Sequence, residues 1–253
     1  MSGPGALEPA PEAIYDGIRW PSPPPDRPYV ALNMVMTADG KTTLDGGRHE
    51  RAIGSPVDRA LMVRLRTCVD AVVRGAGTVR RSPYYPHVVP GARERRKAAG
   101  VAEVPLFVII SGSGELPLDT PLFREPPRRP LVFVGPAARP DTVERLRQVA
   151  QVRAGPVDVP GVLRCLAGEF GVRILLSEGG PTLNAAFFEA GCVDELFLTV
   201  APFVAGSARD LSVVEGERLL QPFPELELLS VNWHASELYL RYRVLRGGPE
   251  RGG

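Results

Sequence analysis

Short, almost unbroken apolar runs recur along the chain, and most of them end in a glycine- or serine-bearing turn that leads into a helix start. The runs are 29–35 (YVALNMV), 70–74 (DAVVR), 105–111 (PLFVIIS), 130–135 (PLVFVG), 172–177 (VRILLS) and 195–202 (ELFLTVAP). A strand with one face in water alternates apolar and polar residues; one that is apolar throughout must be covered on both faces. The helices between the runs supply that cover. Ser55, Pro56 and Asp58 form an N-terminal signature for a helix to about Arg66. Asp141 and Glu144 predict a capping-box start for a helix to about Ala150, residues 160–170 read as a helix stopped by Gly171, and 181–190 as another. Two final strands, about 226–234 and 237–245, alternate cleanly and predict an antiparallel hairpin. The expected fold is α/β: a mostly parallel mixed sheet with helices on both faces and a C-terminal antiparallel hairpin.

The 253 residues suffice for one sizeable core. A net charge of +1 offers no field for nucleic acid or a membrane surface, and no apolar run approaches the roughly 20 residues of a membrane helix. No signal peptide is read at the N-terminus. Cys68, Cys165 and Cys192, without a C-x-x-C pair, read as free thiols of a cytoplasmic protein. Residues 1–28, rich in proline, form an arm that Ile14, Tyr15, Ile18 and Trp20 can pin to the body or to a second subunit; 29–246 form the domain; 247–253 are a disordered tail. Residues 37–54 read as a loop, and 82–104 as a long, mobile or functional one in which Arg93, Glu94, Arg95, Arg96 and Lys97 read as a solvated charged cluster ahead of a phosphate-binding one.

Three segments at strand ends, where open α/β sheets bind ligands, can carry chemistry. Thr37-Ala38-Asp39-Gly40-Lys41 places a carboxylate and an ammonium around a flexible glycine; as residues alone it is equally a surface turn. Gly75-Ala76-Gly77-Thr78 lets backbone amides approach a phosphate at a helix start, with Thr78 as cap; by itself it is also a plain tight turn. Ser177-Glu178-Gly179-Gly180-Pro181-Thr182-Leu183 is the most specific: a glycine pair after an apolar strand, with Pro181 and Thr182 opening a helix and Glu178 facing the crevice. Two such turns suit a ligand with two phosphates, and neither has the Rossmann spacing. His49, His87 and His234 are scattered without metal-ligand spacing, so no metal site is expected.

Taken together, MTADGKTTLDGG (36–47), VDAVVRGAGTV (69–79), ILLSEGGPTLN (174–184) and CVDELFLTVAPFVAG (192–206) resemble the reductase domain of riboflavin biosynthesis, whose pattern runs approximately S-L-D-G-K, D-A-I-x-V-G-x-G-T-V, E-G-G-P-x-L and V-D-E-L-x-x-x-x-A-P-x-x-x-G. The body is most similar to stand-alone pyrimidine reductases, some of which look related to dihydrofolate reductase. The resemblance implies a dihydrofolate-reductase-like three-layer fold and NADPH-dependent reduction of 5-amino-6-(5-phosphoribosylamino)uracil, or of its 2,5-diamino precursor, with hydride delivered to the sugar C1′. It implies cofactor contacts at Val35, Ala52, Gly77, Thr78, Ser82, Gly179, Gly180, Pro181, Thr182 and Leu183. It also implies a substrate-binding Arg66, with Lys41, Glu178 and Asp39 at the reacting sugar. Lys41 is the expected proton donor, Glu178 the group that orients a hydroxyl or stabilises an iminium, and Arg66 the bidentate phosphate grip. Ser111 and Ser113 are the expected neighbours of the cofactor 2′-phosphate. Family members tend to be homodimers joined near the C-terminal strands. With only about 28 residues before the first strand, the zinc deaminase domain often fused to the family's reductase is not expected, and the chain is expected to perform reduction alone.

Two departures stand out. Ser82 replaces an aspartate of the pattern, and the run 82–89 lacks the arginine of D-x-P-x-L-x-x-R, which bears on substrate identity more than on cofactor use. Two further readings stay open: a divergent reductase of a pterin or other small heterocycle, and a non-catalytic NADPH-binding module.

Overall fold

A computed structural model describes residues 10–49 and 52–245; residues 246–253, including the expected tail, lie outside them. Among the described residues nine strands form one sheet: β1 (Tyr29–Thr37), β2 (Ala71–Gly75), β3 (Leu106–Ser111), β4 (Leu131–Val134), β5 (Gln151–Ala154), β6 (Ile174–Ser177), β7 (Glu195–Ala201), β8 (Glu225–His234) and β9 (Glu237–Leu245), in the order β5-β4-β3-β2-β6-β1-β7-β9-β8. Pairings from β5 to β7 are parallel, and β9 joins β7 and β8 antiparallel. The mostly parallel mixed sheet and its C-terminal hairpin are as the apolar runs predict.

Successive strand residues go to opposite faces. Val30, Leu32, Val73, Leu106, Val108 and Leu175 pack with α6 (Val159–Phe170) and with Phe187 of α7 (Pro181–Glu189). Ala31, Val72 and Leu176 pack on the other side with Leu61 and Leu65 of α1 (Pro56–Thr67). Phe107, Ile109, Val132 and Val134 pack there too, with α2 (Ala76–Arg81), α4 (Pro121–Arg124) and α5 (Pro140–Val149). Both sheet faces are therefore dry, which is why the central strands carry no polar face. Among the described residues no helix is long and apolar enough to cross a membrane.

The described part of the N-terminal arm belongs to this core. Ile14 and Tyr15 are buried, the Tyr15 ring meets Phe197 edge-on at 5.0 Å, and Trp20 Nε1 donates to the Cys68 carbonyl at 2.8 Å. Arg27 closes the arm with a bidentate pair to the buried Asp194, 2.7 and 2.8 Å.

Several local expectations need correction. The stretch 82–104 is not one loop: α3 (Pro90–Ala98) occupies its middle. Arg96, expected in solvent, is buried and donates to the Thr67, Val69 and Ala102 carbonyls. Oxygens at the C-terminal end of α1 attract a cation, and the Arg96 stem reaches them. In α5 the N-cap is Arg139 with Pro140 following it, and no side chain caps the helix, so the expected capping box does not form. Strand β5 escaped the apolar reading because it is a short polar edge strand, where one side needs no cover. In the predicted loop 37–54 the described residues hold a 3-10 turn at Asp45–Gly47.

Removing one partner of the arm's buried ion pair strands a charge. Arg27→Ala is expected to lower unfolding free energy by about 3–5 kcal/mol in urea titrations.

Candidate functional site

The order β2-β6-β1 at the centre of the sheet brings three strand ends to one rim. Val73 and Leu32 both lie level with Ser177, the last residue of β6. The two glycine-bearing turns therefore touch: the Gly75 amide donates to the Gly179 carbonyl at 2.8 Å, and Glu178 N donates to Val73 O at 3.0 Å. The Gly179–Gly180 peptide is cis. A methyl group added at Gly180 would stand 3.0 Å from Thr78 Oγ1 and 3.8 Å from an Arg81 nitrogen, so glycine there leaves a cradle between the turns. Thr78 does not cap α2 as expected; Gly75 precedes the helix without a side-chain cap, and the Thr78 hydroxyl oxygen is buried without a hydrogen-bond partner. Its free bonding capacity is aimed at the cradle rather than at its own helix.

Beside the cradle lies a cleft of about 420 Å³ between the end of β1, the start of α1 and α2. Of the expected site residues it is lined by Val35, Thr78, Ser82, Glu178, Gly180 and Pro181. Ala52 is not in the wall, although Ile53 beside it is. Leu183 packs instead under Gly75, whose added methyl would stand 3.6 Å away, and Thr182 faces a second, larger groove of about 1320 Å³ behind α7. That groove holds none of the other expected residues, so size alone misplaces the site. Gly77 and Gly179 lie in the two turns without lining the cleft wall. Ser111 and Ser113 spend their hydroxyls accepting from Gly114 N and Glu115 N.

The charged candidates behave differently from expectation. Asp39 accepts from Thr37 Oγ1 at 2.6 Å and from the Ala205 and Gly206 amides at 2.9 and 2.8 Å, which hold its carboxyl well below the usual carboxylate range. It clamps the loop after β1 to the loop after β7 and does not line the cleft. Lys41 does not line it either; its Nζ donates to the Asp210 carbonyl at 3.3 Å. Arg66 and Glu178 do come together, but with each other. Arg66 Nε and Nη2 donate to the two Glu178 oxygens at 2.5 and 2.8 Å, so the bidentate grip expected for a phosphate is made to a carboxylate.

Arg74 is a partner that the sequence reading missed. It donates from Nε and Nη2 to Glu178 Oε2 at 2.9 and 2.6 Å, lines the cleft, and stacks its guanidinium over the Phe107 ring. The signal was available: an arginine closes an otherwise apolar buried strand, where the riboflavin pattern has valine, and a buried cation must have a partner. Burial pushes the Glu178 carboxyl up, and the charges and hydrogen bonds of Arg66 and Arg74 overcome that and bring it to about 2.

Asp58 was read only as a helix-start charge, and it lines the same cleft. Burial and the Glu237 charge push its carboxyl up to about 6 against the opposing Thr199 hydrogen bond and Arg59. His49, Arg81 and Met62 also line it unexpectedly, as does the loop after β1 through Thr42, Thr43 and Leu44. Among the described residues no group of histidine, cysteine, aspartate and glutamate side chains is placed to hold a metal ion.

Residues 28–239 match the RibD C-terminal domain model. The chain belongs to that family. It is 31% identical over 199 residues to the 2,5-diamino-6-ribosylamino-4(3H)-pyrimidinone 5′-phosphate reductase of Archaeoglobus fulgidus, covering 77% of this chain and 90% of the relative. The protein of the same name from Methanothermobacter thermautotrophicus is 33% identical over 198 residues, 76% of this chain and 85% of that one. The structure of a pyrimidine reductase-like protein from Corynebacterium diphtheriae superposes with a TM-score of 0.78 at 24% identity, across 94% of this chain and 99% of that one. The fold is that of the reductase domains, as the motifs implied.

Glu178 is ionised in the fold to about pH 2 against an ordinary 4.5. A depressed carboxyl contributes stability that is whole above 4.5 and lost as pH falls toward 2. Urea unfolding from pH 6 to pH 2 is expected to show that loss. In Glu178→Gln the Glu178 part of the slope disappears, and stability near neutrality falls by about 3–5 kcal/mol because two buried guanidiniums lose their anion.

Proposed function

We propose that the chain is an NADPH-dependent reductase of a ribosylaminopyrimidine 5′-phosphate, acting in the cytoplasm as a homodimer. The observation that carries the cofactor part is the cradle: two touching glycine turns, a buried Thr78 hydroxyl oxygen without a partner, and the first turn of α7, where helix geometry leaves the Thr182 and Leu183 amides without helical acceptors. Such a set accepts a phosphate at close range, and the helix start favours its charge. Gly180, Pro181, Thr182, Leu183 and Thr78 would hold the pyrophosphate, with Gly77, Gly179 and Ser82 around it. The backbone of Val35, with Ala52 next to Ile53, would border the nicotinamide. When bound, the dinucleotide supplies a hydride, and the chain's own residues position the acceptor.

The names of the two archaeal relatives supply the substrate class. Arg66, Arg74 and Glu178 together carry one net positive charge at the cleft, which suits a substrate with an anionic end. In this reading Glu178 is a positioning residue: held by two guanidiniums, it stays ionised and turns a fixed carboxylate toward the sugar. Lys41 and Asp39 shape the loop that covers the cleft. Free thiols at Cys68, Cys165 and Cys192 suit a reducing compartment. The homodimer rests on the sheet's free edge: Leu226, Leu228 and Val231 of β8 are exposed, and Leu219 and Phe223 beside them more so.

Purified protein is expected to oxidise NADPH with 5-amino-6-(5-phosphoribosylamino)uracil or its 2,5-diamino precursor, and not with dihydrofolate. Gly180→Ala crowds the cradle, and titration calorimetry is expected to show NADPH bound at least about tenfold more weakly, the equivalent of about 1.4 kcal/mol. NADPH binding without turnover of either pyrimidine would overturn the reaction and leave only a binding module. Sedimentation equilibrium is expected to show a dimer that Leu228→Glu converts to monomer.

A further inference from the structure

We propose that Asp58 is the proton donor of the cleft, delivering a proton to the sugar ring oxygen as C1′ is reduced; this rests on the reductase reading above. The other charged groups around the cleft are poorly placed to give a proton. Glu178 is ionised between Arg66 and Arg74 and has no proton to donate. Arg74 and Arg81 stay protonated. Asp39 is bound to two backbone amides, and the Lys41 ammonium is turned to the Asp210 carbonyl, both away from the cleft wall. Asp58 and His49 remain, and Asp58 is fixed where a substrate must pass, in the wall that also holds Val35, Met62 and Glu178.

Three features keep Asp58 there. Ser55 caps α1, its Oγ accepting from Val57 N at 3.1 Å and Asp58 N at 3.2 Å, so the first turn is rigid. Thr199 of β7, which pairs with Val35 of β1, lies beside the carboxyl and favours its charged form. Gly54 leaves the space it fills: a methyl there would lie 2.0 Å from Asp58 Oδ2. The surroundings favour the neutral acid. Glu237 of β9, itself gripped by Ser55 and Tyr239, brings a like charge. Tyr15 of the arm and Tyr239 face it as neutral groups, Arg59 of α1 and the helix start oppose, and burial outweighs them. The result is a carboxyl at about 6, where a general acid for neutral solution is expected.

The step balances. The C1′–O4′ bond breaks with its electron pair moving to O4′, which takes the Asp58 proton. C1′ receives the two electrons and hydrogen of the hydride that reduced nicotinamide supplies. The Asp58 carboxylate regains its proton from water.

The test follows kcat/KM with NADPH and the ribosylaminopyrimidine phosphate against pH, beside ¹³C-carboxyl NMR of the cofactor-free protein. Wild type is expected to lose activity as pH rises through the Asp58 pKa. Asp58→Asn should lower kcat/KM by about 10²–10⁴-fold, abolish that limb, and leave NADPH affinity within a factor of about two. Glu237→Gln removes the like charge, so both the limb and the Asp58 ¹³C midpoint should move to lower pH, which a merely structural aspartate would not cause. Gly54→Ala displaces the carboxyl and should reduce kcat/KM while the NMR midpoint still reports a folded site. His49→Gln should keep the limb. An Asp58→Asn enzyme that retains the limb, or an Asp58 midpoint below about 4, the ordinary aspartate value, overturns the assignment alone. A wild type inert with both pyrimidines overturns the reductase reading and this inference with it.

Discussion

The hydrogen bond from the Gly75 amide to the Gly179 carbonyl joins the ends of two strands far apart in sequence, and the rest of the site is arranged around it. It exists because β2 and β6 are parallel neighbours in which Ser177, the last residue of β6, lies level with Val73 two residues before the end of β2, so both chains turn at the same rim. Parallel neighbours also place both helix starts on that rim, which concentrates partial positive charge there. A side chain at Gly180 would separate the turns from Thr78, and the oxygen without a partner would then be covered by carbon. Backbone geometry decides what can bind here before any charged side chain contributes.

The charged side chains solve a second problem, that of keeping a carboxylate beside a dry sheet. Desolvation alone would protonate Glu178, and two guanidiniums prevent it. Asp58 sits across the same cleft with the opposite balance. Burial dominates, a second carboxylate adds to it against Thr199 and Arg59, and it has no guanidinium hydrogen-bonded to it among the described residues. Two acids in one cleft are thus driven apart, one fixed as an anion and one able to carry a proton. Environments that separate two such groups are how acid and base roles are divided within a site.

Much of this was legible in the residues. The covered sheet followed from VRILLS and PLFVIIS, which have no polar face to offer water. The two glycine turns were visible at the strand ends, and six of the expected residues do line one cleft. The charged roles were less legible, because a motif gives order along the chain and not the direction of a side chain. Asp39 and Lys41 stand at the right strand end, yet backbone amides at 205 and 206 and the carbonyl of Asp210 claim them, and those partners lie more than 160 positions away. Arg74 was visible as an arginine in an apolar strand, but its partner was not. Polar β5 and helical α3 escaped because edge position and tertiary capping leave little periodic trace.

The arm shows how distant packing reaches the chemistry. Tyr15 meets Phe197 of β7 edge-on, and two residues further along that strand Thr199 lies beside Asp58. Arg241 lies over the Phe197 and Trp20 rings and pairs with Glu195 at the start of β7. The strand that positions the proton-bearing carboxyl is thus braced at its base by the arm, and by β9 along its length. The described part of the proline-rich arm packs against the strand and helix that carry Thr199 and Asp58, so its apolar residues bear on the placement of Asp58 as well as on stability.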